Sequence, residues 1–183
     1  MGELCKIAVS VALSLTQLMR ELVLKPSQPL VQVPVLVWEA PPRESSPDED
    51  WVPTETGSKT RPTAADPLVF LLEKVPGRPN PFAMGITVGR VETNDVIVDD
   101  GSVSRFHAWL QLDERKKAWF LCDAESKNGT FLGPQRLTAN QKVALTDGAQ
   151  VKFGEAQMTF LFPASLVALL RRRADAGSQA SKR

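Results

Sequence analysis

The sequence is poor in the residues that most metal and redox sites require. Its 183 residues include two cysteines, Cys5 and Cys122, and a single histidine, His107. Two cysteines so far apart provide neither a disulfide framework nor a zinc-ligand spacing. Cys122 lies in the apolar run Trp119-Phe120-Leu121-Cys122 and is expected as a small buried residue. The pair Asp99-Asp100 lacks the spaced carboxylates of a calcium loop and reads as a turn. No metal and no cofactor is expected. His107 has no nucleophile in a recognisable motif and no orienting partner beside it, so it is not expected to be catalytic. The chain has no phosphate-cradling glycine loop and no kinase catalytic motif, and no enzyme is expected.

Charge of one sign is also lacking. The formal net charge is +1, which argues against general nucleic-acid or membrane-surface binding. No long apolar run is present. The uncharged stretch 7–19 is too short to span a bilayer and is broken by Ser10, Ser14, Thr16 and Gln17. A basic start, an apolar core and a cleavage site do not occur together, and Lys6 stands where an acylation signal needs Ser or Thr. The expected location is cytoplasmic, in keeping with the sparse cysteine.

What is present divides the chain into four parts. Residues 1–40 hold an amphipathic helix over about 3–24, marked by Leu4, Ala8, Val11, Leu15, Leu18 and Leu22 and ended by Lys25-Pro26. Its apolar face can pack on the folded domain or form a homodimer. An extended apolar segment, 31–38, follows, which Pro34 marks as an edge strand or docking segment. Residues 41–67 form an acidic Pro/Ser/Thr-rich flexible linker; 41–66 carries three basic and six acidic side chains. Residues 68–162 read as short β-like runs separated by Pro76-Gly77, Asn94-Asp95, Asp100-Gly101, Asn128-Gly129, Asp147-Gly148 and Gly154. Residues 163–183 predict a short helix over 164–173, with Arg171, Arg172 and Arg173 near its C-terminal end, and a basic disordered tail. The fold expected is mainly β, a two-sheet antiparallel sandwich.

Polar and cationic residues recur where the β-like runs end. Arg90 follows Gly89 and supplies a planar fork that matches phosphate bidentately. Ser104 supplies a hydroxyl, Arg105 a second cation and Lys127 a point charge. Asn128 can both donate and accept, which suits grip on a peptide backbone. A phosphate group, with close to two negative charges and three acceptor oxygens, is the kind of anionic ligand such a set fits.

Gly89-Arg90, Asn94-Asp95-Val96, Ser104-Arg105-x-His107-Ala108, Ser126-x-Asn128-Gly129-Thr130-Phe131 and Leu145-x-Asp147-Gly148-x-x-Val151-x-Phe153-Gly154 occur in the order found in the forkhead-associated (FHA) domain, and residues 68–162 resemble a complete one. The resemblance implies a β-sandwich whose loops at one end bind phosphothreonine peptides. It implies phosphate contacts from Arg90 and Ser104, auxiliary ones from Arg105 and Lys127, and a peptide main-chain bond from Asn128. Gly89, His107 and Gly129 would hold the loops in shape. Lys127 stands where other members often carry a small polar residue, and Gly133 where an Asn is common. The function implied is a phosphothreonine-dependent adaptor in Ser/Thr-kinase signalling or regulated assembly, its partner a phosphothreonine protein such as a kinase or its substrate. The alternative is a phospho-independent scaffold or oligomerising adaptor. Thr54, Thr56, Thr60 and Thr63 of the linker are candidate phosphosites, Thr63 with Asp66 three residues on. A linker of this length has a coil dimension of roughly 25–30 Å, which brings its own phosphothreonine within reach as a further candidate partner, the alternative being an inert spacer.

Overall fold

The structure, a computed structural model, describes residues 12–24, 30–39, 62–63, 66–75 and 82–180, the side chains of the last element to residue 176. Residues 3–11 of the expected helix, most of the linker, Thr54, Thr56, Thr60, and the last three residues of the tail lie outside the described residues.

Twelve strands and two helices are described. They are β1 (Leu13–Ser14), α1 (Leu15–Leu24), β2 (Val35–Trp38), β3 (Leu68–Leu71), β4 (Ile86–Gly89), β5 (Val96–Ile97), β6 (Ala108–Asp113), β7 (Ala118–Asp123), β8 (Thr130–Leu132), β9 (Gln135–Arg136), β10 (Lys142–Leu145), β11 (Gln150–Phe153), β12 (Ala156–Leu161) and α2 (Pro163–Ala180). Seven strands form one sheet in the order β1-β3-β2-β12-β11-β8-β9, and five form the other, β10-β7-β6-β4-β5. The fold is the expected two-sheet sandwich. Pairing is antiparallel throughout except between β4 and β5, which are parallel.

Alternation along the strands builds the core between the sheets. Leu36, Trp38, Phe70, Val88, Leu110, Leu121, Phe153, Met158 and Phe160 are buried there, as period-two side-chain alternation requires. Strand β2 is buried on both faces. Leu36 and Trp38 enter the inter-sheet core, whereas Val35 and Val37 join Val69, Leu161, Leu15, Leu18, Leu166 and Leu170 in a second cluster. The two helices therefore cover the outer face of the seven-stranded sheet. A strand covered on both sides needs an unbroken apolar run, which Val35–Trp38 is.

Three expectations from sequence are corrected. The segment marked as an edge by Pro34 is internal: β2 pairs with β12 on one side and β3 on the other. Pro34 precedes the strand, so no N–H of the ladder is lost, and its carbonyl accepts the Leu72 N–H at 2.9 Å. The N-terminal helix begins at Leu15, because Leu13 and Ser14 pair with β3. Its first amides are satisfied from outside the helix. Pro67 O accepts Leu15 N–H at 2.9 Å, Asp66 Oδ1 accepts Thr16 N–H at 3.1 Å, and Ser14 Oγ accepts Gln17 N–H at 3.2 Å. The C-terminal helix continues to Ala180, well past the three arginines, which sit in its middle. Its start is also capped by an aspartate: Asp147 accepts Phe162 N–H at 2.8 Å and the Ser165 hydroxyl at 2.5 Å. Pro163 suits the first helical turn, where its missing N–H costs nothing.

Leu15 and Leu18, which a homodimer through α1 would need, are buried inside the chain, while Val23 and Leu24 remain exposed. The second cluster makes the helices part of the folded unit. Leu170, fully buried, tests this: Leu170→Ala is expected to cost about 2–5 kcal/mol of stability. A lowered urea midpoint with an unchanged denaturant slope is the expected reading.

Candidate functional site

The β4–β5, β5–β6 and β7–β8 loops meet at one end of the sandwich, and Ser104 is the knot that ties them. Its carbonyl accepts the Arg90 N–H at 3.1 Å, which sets the residue after β4 beside the β5–β6 loop. Its N–H donates to His107 Nδ1 at 3.0 Å. Its Oγ accepts the Lys127 N–H at 3.0 Å, bringing in the β7–β8 loop. The hydroxyl hydrogen of Ser104 therefore remains to donate to a ligand.

The structure thus brings Arg90, Ser104, Arg105, Lys127 and Asn128 to one surface. Arg90, Arg105 and Lys127 are exposed, and among the described residues none of the three makes a side-chain hydrogen bond or ion pair. Asn128 Nδ2 donates to the Ser102 carbonyl at 2.7 Å. Its Oδ1 is then the atom turned to other use, an acceptor suited to a peptide N–H. The surface is cationic with neutral donors and acceptors. A depression of about 620 Å³, lined in part by Arg115, Lys116, Phe120 and Lys142, lies at the hairpin end of β6 and β7, away from these loops.

The supports lie one layer down. Gly89 is required by contact: a Cβ there would stand 2.2 Å from the Arg105 carbonyl oxygen and 2.7 Å from Asn94 Nδ2. Asn94 Nδ2 donates to the carbonyls of Val91 and Arg105, at 2.9 and 2.7 Å, and so fixes the loop bearing Arg105. Gly129 sits at φ 83°, in the left-handed region, with the Arg136 guanidinium where a Cβ would stand. Its carbonyl receives both His107 Nε2, at 3.1 Å, and the Gly154 N–H, at 3.1 Å.

His107 is wholly buried. Because Nδ1 accepts from Ser104, the proton belongs on Nε2, where it donates to Gly129. Burial pushes its pKa below the ordinary 6.5, outweighing the Gly129 carbonyl and the Asp123 charge, which act the other way. Protonating Nδ1 would also set N–H against N–H. Both effects disfavour imidazolium in the folded state. Above pH 6.5 the ring is neutral folded or unfolded, and the full stability is present. Below it the unfolded chain takes up a proton that the folded chain refuses, so stability falls with falling pH. The urea midpoint is expected to drop from about pH 6.5 downward, and this slope is expected to vanish in His107→Gln. Asp95 acts in a lower window. Burial raises its carboxyl, but Lys74 at 2.7 Å, the Thr87 and Val75 amides and the Thr87 hydroxyl outweigh that and hold it below 3.8.

Several working residues escaped the sequence reading. Asp123 is buried, and its carboxylate accepts the hydroxyls of Ser126 and Thr130, at 2.5 and 2.6 Å, and the Ser126 N–H at 3.1 Å. It holds the loop that carries Lys127 and Asn128. Ser102 and Arg136 also contact the site residues without having been singled out, and Gly154, read as a turn and motif position, bonds the Gly129 carbonyl. A cue existed for Ser102, since Asp100-x-Ser102 is the spacing of an Asx turn, and Asp100 Oδ1 does accept the Ser102 N–H at 2.8 Å. Of the linker threonines only Thr63 is described. It is exposed, and its hydroxyl accepts the Asp66 N–H at 3.0 Å.

Residues 86–154 match the family model of the FHA domain. The chain is 26% identical over 108 residues to the transcriptional regulatory protein EmbR of Mycobacterium tuberculosis, and equally to that of Mycobacterium bovis. The match covers 58% of this chain, which spans only 27% of the length of those curated relatives. Among solved structures, EmbR of Mycobacterium tuberculosis in complex with a low-affinity phosphopeptide is 28% identical, with a TM-score of 0.38, over 43% of this chain and 20% of that one. The N-terminal FHA domain of Saccharomyces cerevisiae Rad53p in complex with a phosphothreonine peptide is 24% identical, with a TM-score of 0.39, over 42% of this chain and 65% of that one. Residues 86–154 of this chain form an FHA domain.

Proposed function

We propose that the chain is a phosphothreonine-dependent binding module that serves as an adaptor and not as an enzyme. The observation that carries this is the cluster of Arg90, Arg105 and Lys127 around Ser104, whose oxygen is already used as an acceptor and whose hydrogen is left to give. Arg90 would fork two phosphate oxygens, and Ser104 would donate to the same group, with Arg105 and Lys127 adding charge. Asn128 Oδ1 would accept a main-chain N–H of the peptide. Gly89, His107 and Gly129 would hold these groups in register. A phospho-independent scaffold has no use for three exposed cations gathered about a donor hydroxyl.

The partner class is a phosphothreonine protein, a Ser/Thr kinase or one of its substrates. The chain's own linker is a further candidate, through Thr54, Thr56, Thr60 or Thr63. For Thr63 the Asp66 carboxylate is already engaged by the Ser14 hydroxyl, at 2.7 Å, and the Thr16 N–H. Presenting Thr63 would open that helix cap. No helix among the described residues is long and apolar enough to cross a membrane.

Amide chemical-shift mapping tests the placement. A phosphothreonine peptide is expected to move the amides of Arg90, Ser104, Arg105, Lys127 and Asn128 and to leave those of β1 and α1 unmoved. Shifts confined to the helices would sink the reading.

A further inference from the structure

We infer that Ser102 is a positioning residue that sets which end of the Asn128 amide faces the ligand, an inference that rests on the phosphopeptide reading above. Asn128 Nδ2 donates to the Ser102 carbonyl at 2.7 Å across 26 residues of sequence. That contact orients the amide only if Ser102 is itself held, and it is held from two directions. Within its own loop, Asp100 Oδ1 accepts both the Ser102 N–H, at 2.8 Å, and the Ser102 hydroxyl, at 2.6 Å. From the β11–β12 turn, the Glu155 N–H donates to Ser102 Oγ at 2.8 Å.

Gly154 makes that second approach possible. It adopts φ 60°, and a Cβ on it would lie 2.5 Å from the Ser102 carbonyl oxygen and 2.7 Å from Ser102 Oγ. The Gly154 N–H in turn bonds the Gly129 carbonyl, beside Asn128, at 3.1 Å. Three loops thus close a ring through Ser102, Asn128, Gly129 and Gly154. With Nδ2 committed to Ser102, Oδ1 is turned out as the acceptor. Free of the ring, the amide also samples the orientation that offers the peptide N–H a donor.

The role of Ser102 is indirect, so its loss is expected to matter only while Asn128 is present. Ser102→Ala in the full chain is expected to weaken binding of a fixed phosphothreonine peptide about three- to tenfold by titration calorimetry. In an Asn128→Ala background it is expected to change nothing, and Ser102→Thr, which keeps the hydroxyl, is expected to restore affinity. Gly154→Ala reaches the same carbonyl from the other side and supplies the second variant if Ser102→Ala does not fold. A ligand-free reading separates this inference from the proposed function. Exchange of the Asn128 side-chain amide protons is expected to be slow in the wild type and to speed up in Ser102→Ala. Equal losses with and without Asn128, or an unchanged amide exchange, would overturn the inference. Failure of the wild type to prefer phosphorylated peptide, with the amide exchange as expected, would overturn the proposed function alone.

Discussion

Arg90→Ala is expected to weaken binding of a phosphothreonine peptide ten- to a hundredfold while leaving the fold intact. The side chain is exposed, so its removal creates no cavity, and a surface substitution of this kind changes stability by about 0.5 kcal/mol or less. Its backbone N–H, which binds the Ser104 carbonyl, survives in alanine, so the loop keeps its place. What is lost is the guanidinium. A charge-assisted hydrogen bond is worth about 1.5–3 kcal/mol, and this range sets the expected factor. Arg90→Lys is expected to fall between the two, because a point charge cannot reproduce a planar fork. Calorimetric titration together with the thermal midpoint checks both halves. A binding loss matched by a falling midpoint would point to misfolding instead.

Gly89→Ala is expected to have the larger effect, through geometry alone. The added Cβ would meet the Arg105 carbonyl oxygen at 2.2 Å and Asn94 Nδ2 at 2.7 Å; the first is backbone, and the second ends a buried side chain pinned by two hydrogen bonds. The β5–β6 loop must move away from β4. That movement breaks the Asn94 bond to Arg105 and the Arg90 bond to Ser104 together. Overpacking of this kind costs about 1–3 kcal/mol of stability. Binding is expected to fall by at least about a hundredfold, since more than one phosphate contact is displaced. Gly101 provides the control within the same loop. A Cβ there meets nothing within 4 Å, so Gly101→Ala is expected to change neither stability nor affinity.

These two neighbours also show what sequence could and could not reveal. The order Gly89-Arg90, Ser104, Asn128-Gly129 is visible in the chain, and the loops do converge as that order implied. Most strands were legible too, because runs such as Ile86–Gly89 and Gln150–Phe153 alternate between turn residues. Strand β9 was not, being two exposed polar residues that only their pairing with β8 defines. The internal place of β2 was hidden by Pro34, whose effect depends on whether it lies in the ladder or one residue before it. The start of α1 was hidden as well. Its apolar periodicity runs on toward the N-terminus, whereas α1 starts at Leu15, where the pairing of Leu13 and Ser14 with β3 and the cap from Asp66 and Pro67, some fifty residues away, fix its first turn. Ser102 and Asp123 share that difficulty. One acts through a backbone carbonyl and the other through a buried carboxylate, and neither role exists until distant loops are brought together.

The most direct test is a matched pair of peptides that differ only in phosphorylation of one threonine, titrated against the full chain. The phosphorylated peptide is expected to bind at least about a hundredfold more tightly, as two or more charge-assisted hydrogen bonds imply, and Arg90→Ala is expected to erase most of that difference. Equal affinity for the two peptides would contradict the assignment of this loop surface to phosphothreonine.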